Sequence, residues 1–179
     1  MDLGLLYEFD VPQPWPAAHP WGQRMEERRV YKENIEQIVL ADKMGFDTIW
    51  CVEHHFRENR SHMPSNEVVL GALSQITSNI KLGFGVSLMP HEFCHPAKVA
   101  EKVATVDLLS GGRVQWGIGR STPMEQIAFG VDIPRSKEKM CAAARSVVGM
   151  WAEEYYEEHS EFLDFPSRMV TPKPWQDPH

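Results

Sequence analysis

The feature that most constrains the fold is a regular alternation of short apolar runs with helical patterns. The runs LGLLY, DTIWCV, IKLGFGVSL and GGRVQWGIG predict strands, and a helical pattern follows each of them. Nearly continuous apolar strands that alternate with helices are typical of a parallel sheet covered by helices. The sequence therefore predicts an α/β fold.

The helical patterns predict where the helices lie. Apolar residues recur at helical spacing from Tyr31 to Val39, and Gly45 follows where a helix C-cap is expected. Further helices are predicted over about 67–77, over HPAKVAEKVATVDLL, and from about Lys137 into the 150s. The Pro-rich stretch after the last helix is predicted to end before any fifth strand.

Two architectures accommodate this alternation, an open doubly wound sheet and a (β/α)8 TIM barrel. The first strand-to-helix turn lacks the G-x-G-x-x-G pattern of dinucleotide folds, while GFG and GIG inside the third and fourth strands suit either close backbone approach by a ligand or tight barrel packing. We favour the barrel. Because such a barrel usually needs about 250 residues, we expect residues 1–179 to be the N-terminal portion of one barrel domain, with only the first four βα units present. The chain is then either truncated or completed by a partner.

Composition excludes several classes of function. The net charge of −7 argues against a nucleic-acid or anionic-membrane surface. No apolar run approaches the roughly 20 residues that span a bilayer, and the acidic start does not resemble a signal peptide. Three distant cysteines indicate reduced thiols and not a disulfide framework. We therefore expect a cytoplasmic protein with no nucleic-acid or membrane partner.

Polar residues follow three of the predicted strands, in the segments EHHFRENRSH, MPHEFCHP and GRSTPMEQ. In a parallel α/β sheet the loops after the strands emerge at one face, where sites are built. Five of the eight histidines fall in these loops. The predicted active-site face therefore gathers Glu53, His54, His55, His62, His91, His95, Arg120 and Ser121.

These residue types favour acid–base and anion-binding chemistry. A histidine can act as a general acid or base, and a neighbouring carboxylate can orient it. Arg120 could bind a phosphate or carboxylate through its guanidinium fork, and the hydroxyls of Ser121 and Thr122 could extend that anion site. A zinc site is disfavoured, because the adjacent His54 and His55 would point to opposite sides of an extended segment.

Purely structural roles stay open for several of these residues. Glu53 could tie down a loop or a neighbouring strand end as readily as act in catalysis. His62 and His91 suit surface or loop-packing roles better than ligand binding. His95 precedes Pro96 at a predicted helix start, where it could cap the helix.

The segments GFDTIWCVEHHF and GFGVSLMPHEFCHPAKVAEKVATVDLLSGGRVQWGIGRS resemble the bacterial luciferase-like flavin-dependent monooxygenases. The resemblance runs from the first strand to the Pro-rich tail. It rests on two motifs together, WxxEHHF at the end of the second strand and the stretch from DLLSGGR to GxGR around the fourth. The resemblance implies a (β/α)8 barrel. It also implies an oxidoreductase that uses reduced FMN and O2 on a small organic substrate.

The resemblance assigns roles by position. It implies that His54 is the catalytic base or proton donor, with Glu53 and His55 in support, and that Arg120 contacts the flavin phosphate. It implies a non-prolyl cis peptide between Gly85 and Val86 beside the flavin ring. Ser121 and His95 are expected to complete the cofactor site. A flavin reductase and a homo- or heterodimeric assembly are the expected partners.

Two other readings stay open. The same superfamily includes hydride-transferring enzymes that use a deazaflavin coenzyme, and nothing in the residues excludes this alternative to FMN. The alternative that is not an enzyme is a non-catalytic half barrel. It would either pair with a complete subunit or be an inactive truncated chain.

Overall fold

The computed structural model describes residues 2–15 and 20–177, and its main feature is one parallel sheet. Its four strands lie in sequence order, and each pairs in parallel with its neighbours. They are β1 (Gly4–Tyr7), β2 (Thr48–Cys51), β3 (Lys81–Leu88) and β4 (Val114–Gly119). The helices between them are α1 (Pro20–Met44), α2 (Asn66–Ile76) and α3 (Pro96–Ser110). The predicted alternation is thus confirmed.

One face of the sheet packs against the helices and forms the core. Every second residue of β2 and of the first half of β3 lies on this face and is fully shielded from solvent. These residues are Ile49 and Cys51 of β2, and Leu82 and Phe84 of β3. Residues one position apart in a strand point to opposite faces, so the intervening residues lie on the other side. The apolar residues on this face are therefore explained by packing against the helices.

The other face is built from glycines and one large aromatic side chain, Trp50. A Cβ added to Gly83 would lie 2.4 Å from the Trp50 ring, and one added to Gly117 would lie 2.6 Å from the Phe84 carbonyl oxygen. Only glycine permits these approaches without a shift of the neighbouring atoms. The GFG and GIG sequences are thus explained by close packing within the sheet.

The turn between α3 and β4 lies at the opposite end of the sheet from the predicted site. Gly111 ends α3 in the left-handed conformation with φ of 67°, which glycine adopts readily at a helix C-cap. Arg113 then donates hydrogen bonds to the carbonyl oxygens of Ser74, Thr77 and Ile80. The SGGR segment is therefore a structural tie between α2, β3 and β4.

Two parts of the structure correct the sequence prediction. The segment after β4 contains a short helix, α4 (Pro123–Phe129), before α5 (Ser136–Ala152). As expected, no fifth strand joins the parallel sheet within the described residues, but the prediction missed an antiparallel hairpin outside it, formed by β5 (Tyr156–His159) and β6 (Asp164–Arg168). Their mostly polar, partly exposed residues lack the apolar run that marks a buried strand.

Within the described residues, no helix combines the length and apolar character that crossing a membrane requires.

Candidate active site

The loops after β2 and β4 meet at a carboxylate that the sequence analysis did not single out, Glu125 of α4. Its side chain is fully buried. Oxygen Oε2 accepts hydrogen bonds from the hydroxyls of Ser121 and Thr122, each at 2.6 Å, and from the Thr122 amide at 3.2 Å. Oxygen Oε1 accepts one from the amide of His55 at 2.7 Å. Glu125 therefore joins two loops that lie 70 residues apart in sequence.

These hydrogen bonds keep Glu125 ionised. Burial alone would raise the pKa of its carboxyl group, but the donors of Ser121, Thr122 and the His55 amide outweigh burial and lower the pKa from 4.5 to about 2. At neutral pH the site therefore contains a buried negative charge in a fixed position.

That charge faces the imidazole of His54. Nδ1 of His54 lies 3.2 Å from Oε1 of Glu125. Since an ionised carboxylate can only accept, Nδ1 carries the hydrogen and donates it. The neutral ring then has its lone pair on Nε2, which has no hydrogen-bond partner among the described residues. The geometry thus fixes the tautomer that leaves Nε2 able to take up a proton.

His55 and Glu53 support the same loop. The ring of His55 packs edge-on against Phe129 with centroids 4.9 Å apart, and its Nε2 lies 3.5 Å from Oε1 of Glu53. The buried Glu53 carboxylate also accepts a hydrogen bond from the Leu88 amide at 3.2 Å. Glu53 therefore ties the end of β2 to the end of β3, the structural role left open above, and its catalytic role stays a prediction.

The peptide bond between Gly85 and Val86 is cis, as the resemblance implies. It lies in β3 where the pairing with β4 shifts register, between Phe84 and Ser87. The buried side chain of Asn66 donates one hydrogen bond to the Val86 carbonyl and another to the Cys51 carbonyl, both at 3.2 Å. This stretch of β3 is thus held beside the end of β2.

Arg120 and Ser121 follow β4 at the same end of the sheet. The exposed side chain of Arg120 donates to the Ser136 hydroxyl at 3.2 Å. The buried Gln126 donates to the carbonyl oxygens of both residues, which fixes their backbone, and Ser121 has a φ of 69°. The anion that Ser121 and Thr122 bind here is the carboxylate of Glu125, so their predicted part in a cofactor site stays untested.

The remaining rim histidines do not all converge on His54. His62 lines the same cavity as His54, with Nδ1 2.8 Å from Oε1 of Glu27. His95 accepts a hydrogen bond from the Ala97 amide at 3.1 Å and so caps α3, which confirms the capping role. His91 lines a separate small pocket against α5. A cofactor role for His95 stays a prediction.

A cavity of about 390 Å³ opens beside His54. It is lined by Glu27 of α1 and by residues between His54 and Pro64 in the loop after β2. Among the described residues, no group of three or more His, Cys, Asp or Glu side chains could hold a metal ion.

Glu125 is the functional candidate that sequence reasoning missed. The only local signal is the T-x-x-E spacing from Thr122 to Glu125, which is typical of a capping box at a helix start. The structure contains that box, but the contact with the β2 loop spans 71 residues and has no signature in the sequence.

Comparisons with known proteins agree with this architecture. The family described as luciferase-like monooxygenase matches residues 14–179. The oxygenase component of a flavin-dependent trigonelline monooxygenase from Acinetobacter baylyi is 31% identical over 156 residues, covering 86% of this chain and 42% of that protein. An F420-dependent glucose-6-phosphate dehydrogenase from Kineococcus radiotolerans is 30% identical, covering 82% of this chain and 47% of that protein.

A solved structure, monooxygenase RslO1 from Streptomyces bottropensis, superposes with a TM-score of 0.85 at 31% identity. The match covers all of this chain and 51% of RslO1, so the chain spans about half the length of the relatives it matches. This likeness confirms the predicted barrel-type α/β fold class. The chain belongs to the luciferase-like monooxygenase family.

Proposed function

We propose that the protein is a flavin-dependent monooxygenase that uses reduced FMN and O2 on a small organic substrate. The observation that carries this proposal is the pairing of His54 with the buried, ionised Glu125 at the carboxyl ends of the parallel strands. Sites of α/β barrels are built at that end. The oxidoreductases among its relatives support the same class of chemistry.

The residues present fit a flavin. Gly85 has no side chain, so a planar ring could approach the backbone of the cis peptide between Gly85 and Val86 closely. Arg120 has one side-chain hydrogen bond within the described residues, to Ser136, and so retains donors that suit a phosphate. Gly85, Val86 and Arg120 would therefore hold the flavin, which when bound would supply the electrons that reduce O2.

His54 would act as the general base and general acid of the reaction. In its neutral form Nε2 accepts a proton, and the ring then becomes an imidazolium stabilised by the charge of Glu125 at 3.2 Å. In the protonated form Nε2 can return the proton. Glu125 acts through His54 because it fixes the ring orientation and tautomer. A separate flavin reductase would supply reduced flavin, in line with the relative described as an oxygenase component.

A hydride-transfer enzyme that uses a deazaflavin is the second candidate. It is favoured by relatives of about the same identity that are described as F420-dependent dehydrogenases. The two candidates differ in their need for oxygen. The test measures turnover of a panel of small organic substrates with reduced FMN under air, and with oxidised F420 under anaerobic conditions.

The proposal expects oxygenated product, with O2 consumed, only in the assay with reduced FMN. Replacement of His54 by alanine should lower kcat by about 10²-fold or more, the usual contribution of a general acid or base. His159→Ala is the matched control, since His159 is an exposed histidine of the hairpin. Substrate oxidation with F420 but not with FMN would replace the monooxygenase proposal by the second candidate.

A further inference from the structure

The lining of the cavity beside His54 includes a guanidinium, that of Arg57, and an aromatic ring, that of Phe56. His54 and His55 line one part of it, and Phe56 and Arg57 continue the lining along the loop after β2. Its volume of about 390 Å³ is within the range of small-molecule pockets. The chemistry of these walls therefore indicates which ligand the cavity accepts.

Arg57 provides the charge. Its side chain is half-buried, and within the described ranges it has neither a hydrogen bond nor an ion pair. The carboxylate of Glu8 is close enough to feel this charge, but both of its oxygens are held by the guanidinium of Arg60. A guanidinium at a cavity wall without a carboxylate partner is suited to pair with an anion from solution.

Among the described residues, the acidic side chains that line the cavity form no ion pair with Arg57. Oε1 of Glu27 lies 2.8 Å from Nδ1 of His62 and accepts a hydrogen bond from Gln23 at 3.1 Å. Glu58 is exposed, and its carboxylate forms no ion pair in the described part of the chain. The guanidinium thus remains available to a ligand.

Phe56 provides the aromatic wall. Its side chain is 59% exposed, which is unusual for a phenylalanine beside a core, and its backbone φ of 57° is uncommon for a bulky residue. The ring packs against Phe129 at 5.5 Å between centroids, and Phe129 contacts His55. The exposed face of this aromatic cluster would suit contact with a planar ring.

We propose that this cavity is the substrate subsite and that it accepts a small aromatic molecule carrying an anionic group. Arg57 pairs with the anion, Phe56 contacts the ring, and the ring then lies beside His54. The inference rests on the proposed function and names its substrate class. A carboxylate substrate and a flavin phosphate share the chemistry that Arg57 recognises, so the experiment separates them.

The test measures binding of benzoate and of its neutral analogue benzamide by isothermal titration calorimetry, without flavin. Benzoate should bind more tightly than benzamide, and Arg57→Gln should weaken benzoate binding by about tenfold or more while leaving benzamide unchanged. Arg57→Lys should give an intermediate affinity because it keeps the charge and loses the fork. Arg28→Gln, at an exposed arginine of α1, is the matched control and should bind benzoate like the wild type.

Equal benzoate affinity in wild type and Arg57→Gln would overturn the proposal, as would equal affinity for benzamide. FMN is titrated into the same variants. Loss of FMN affinity in Arg57→Gln with benzoate binding intact would assign Arg57 to the flavin phosphate and also overturn it. Benzoate binding that depends on Arg57 would support the subsite even if no flavin-dependent turnover were found, so the two proposals fail separately.

Discussion

Replacing Glu125 by glutamine tests whether this buried carboxylate organises the site. The substitution keeps the size of the side chain and replaces one oxygen by an amide nitrogen, which cannot accept a hydrogen bond. Oε1 faces the amide of His55 and Nδ1 of His54, while Oε2 faces three donors from Ser121 and Thr122. Whichever way the amide is turned, at least two donors lose their acceptor.

Lost hydrogen bonds and the lost charge each predict the same decrease in stability for Glu125→Gln. Two hydrogen bonds to a charged group, at about 1.5 kcal/mol each, amount to about 3 kcal/mol. The difference between the ordinary pKa of 4.5 and the folded-state pKa of about 2 corresponds to about 3 kcal/mol at neutral pH. Because the folded-state pKa is the lower one, this stabilisation is complete above about pH 4.5 and is lost as the pH falls towards 2.

Urea unfolding of the wild type and of Glu125→Gln at two pH values measures this contribution. We expect a difference in the free energy of unfolding of about 3 kcal/mol at pH 7 that falls to about 1.5 kcal/mol at pH 3. Glu154→Gln, at an exposed glutamate after α5, is the control and should change stability by less than about 0.5 kcal/mol. A Glu125→Gln variant as stable as the wild type at pH 7, or a difference independent of pH, would show that the ionised carboxylate does not stabilise the fold.

Two further substitutions test the packing that positions the site. Arg113→Lys should lower the free energy of unfolding, measured in urea, by about 2 kcal/mol. The guanidinium of Arg113 donates to five acceptors, whereas a lysine ammonium has three donors and leaves at least two of them unpaired. A variant as stable as the wild type would show that these hydrogen bonds contribute little. Gly119→Ala should cost about 1–3 kcal/mol, because its Cβ would lie 2.3 Å from Cγ2 of Val86. Gly71→Ala, within α2, is the control, because nothing lies within 4 Å of the added Cβ. It should leave the free energy of unfolding unchanged or raise it by up to about 1 kcal/mol. Equal losses of stability at Gly119 and Gly71 would show that close packing at Gly119 is not the cause.

The parallel sheet could be predicted because its signals are local. Each strand of the sheet is an apolar run, and Gly45 and Gly111 end helices in the left-handed conformation that glycine favours. The order of the loops along the chain was enough to place His54, Arg120 and Ser121 at one end of the sheet. Such features depend on residues within a few positions of each other.

The details of the site could not be predicted because they depend on contacts between distant segments. Nothing near Glu125 in sequence indicates that it meets His54, and the T-x-x-E pattern indicates only a helix start. Likewise Ser121 and Thr122 were predicted to extend an anion site for a ligand, whereas in the structure their hydroxyls donate to the carboxylate of Glu125. The β5–β6 hairpin escaped prediction because its exposed strands carry polar residues.

The role of His54 in proton transfer is tested by the rate of O2-dependent product formation with reduced FMN in wild type and His54→Ala, with and without added imidazole. If His54 moves the proton and Glu125 orients it, kcat should fall by about 10²-fold or more in the variant, and imidazole should restore part of the loss. His159→Ala should retain the wild-type rate. An unchanged kcat in His54→Ala would contradict the assignment of this site.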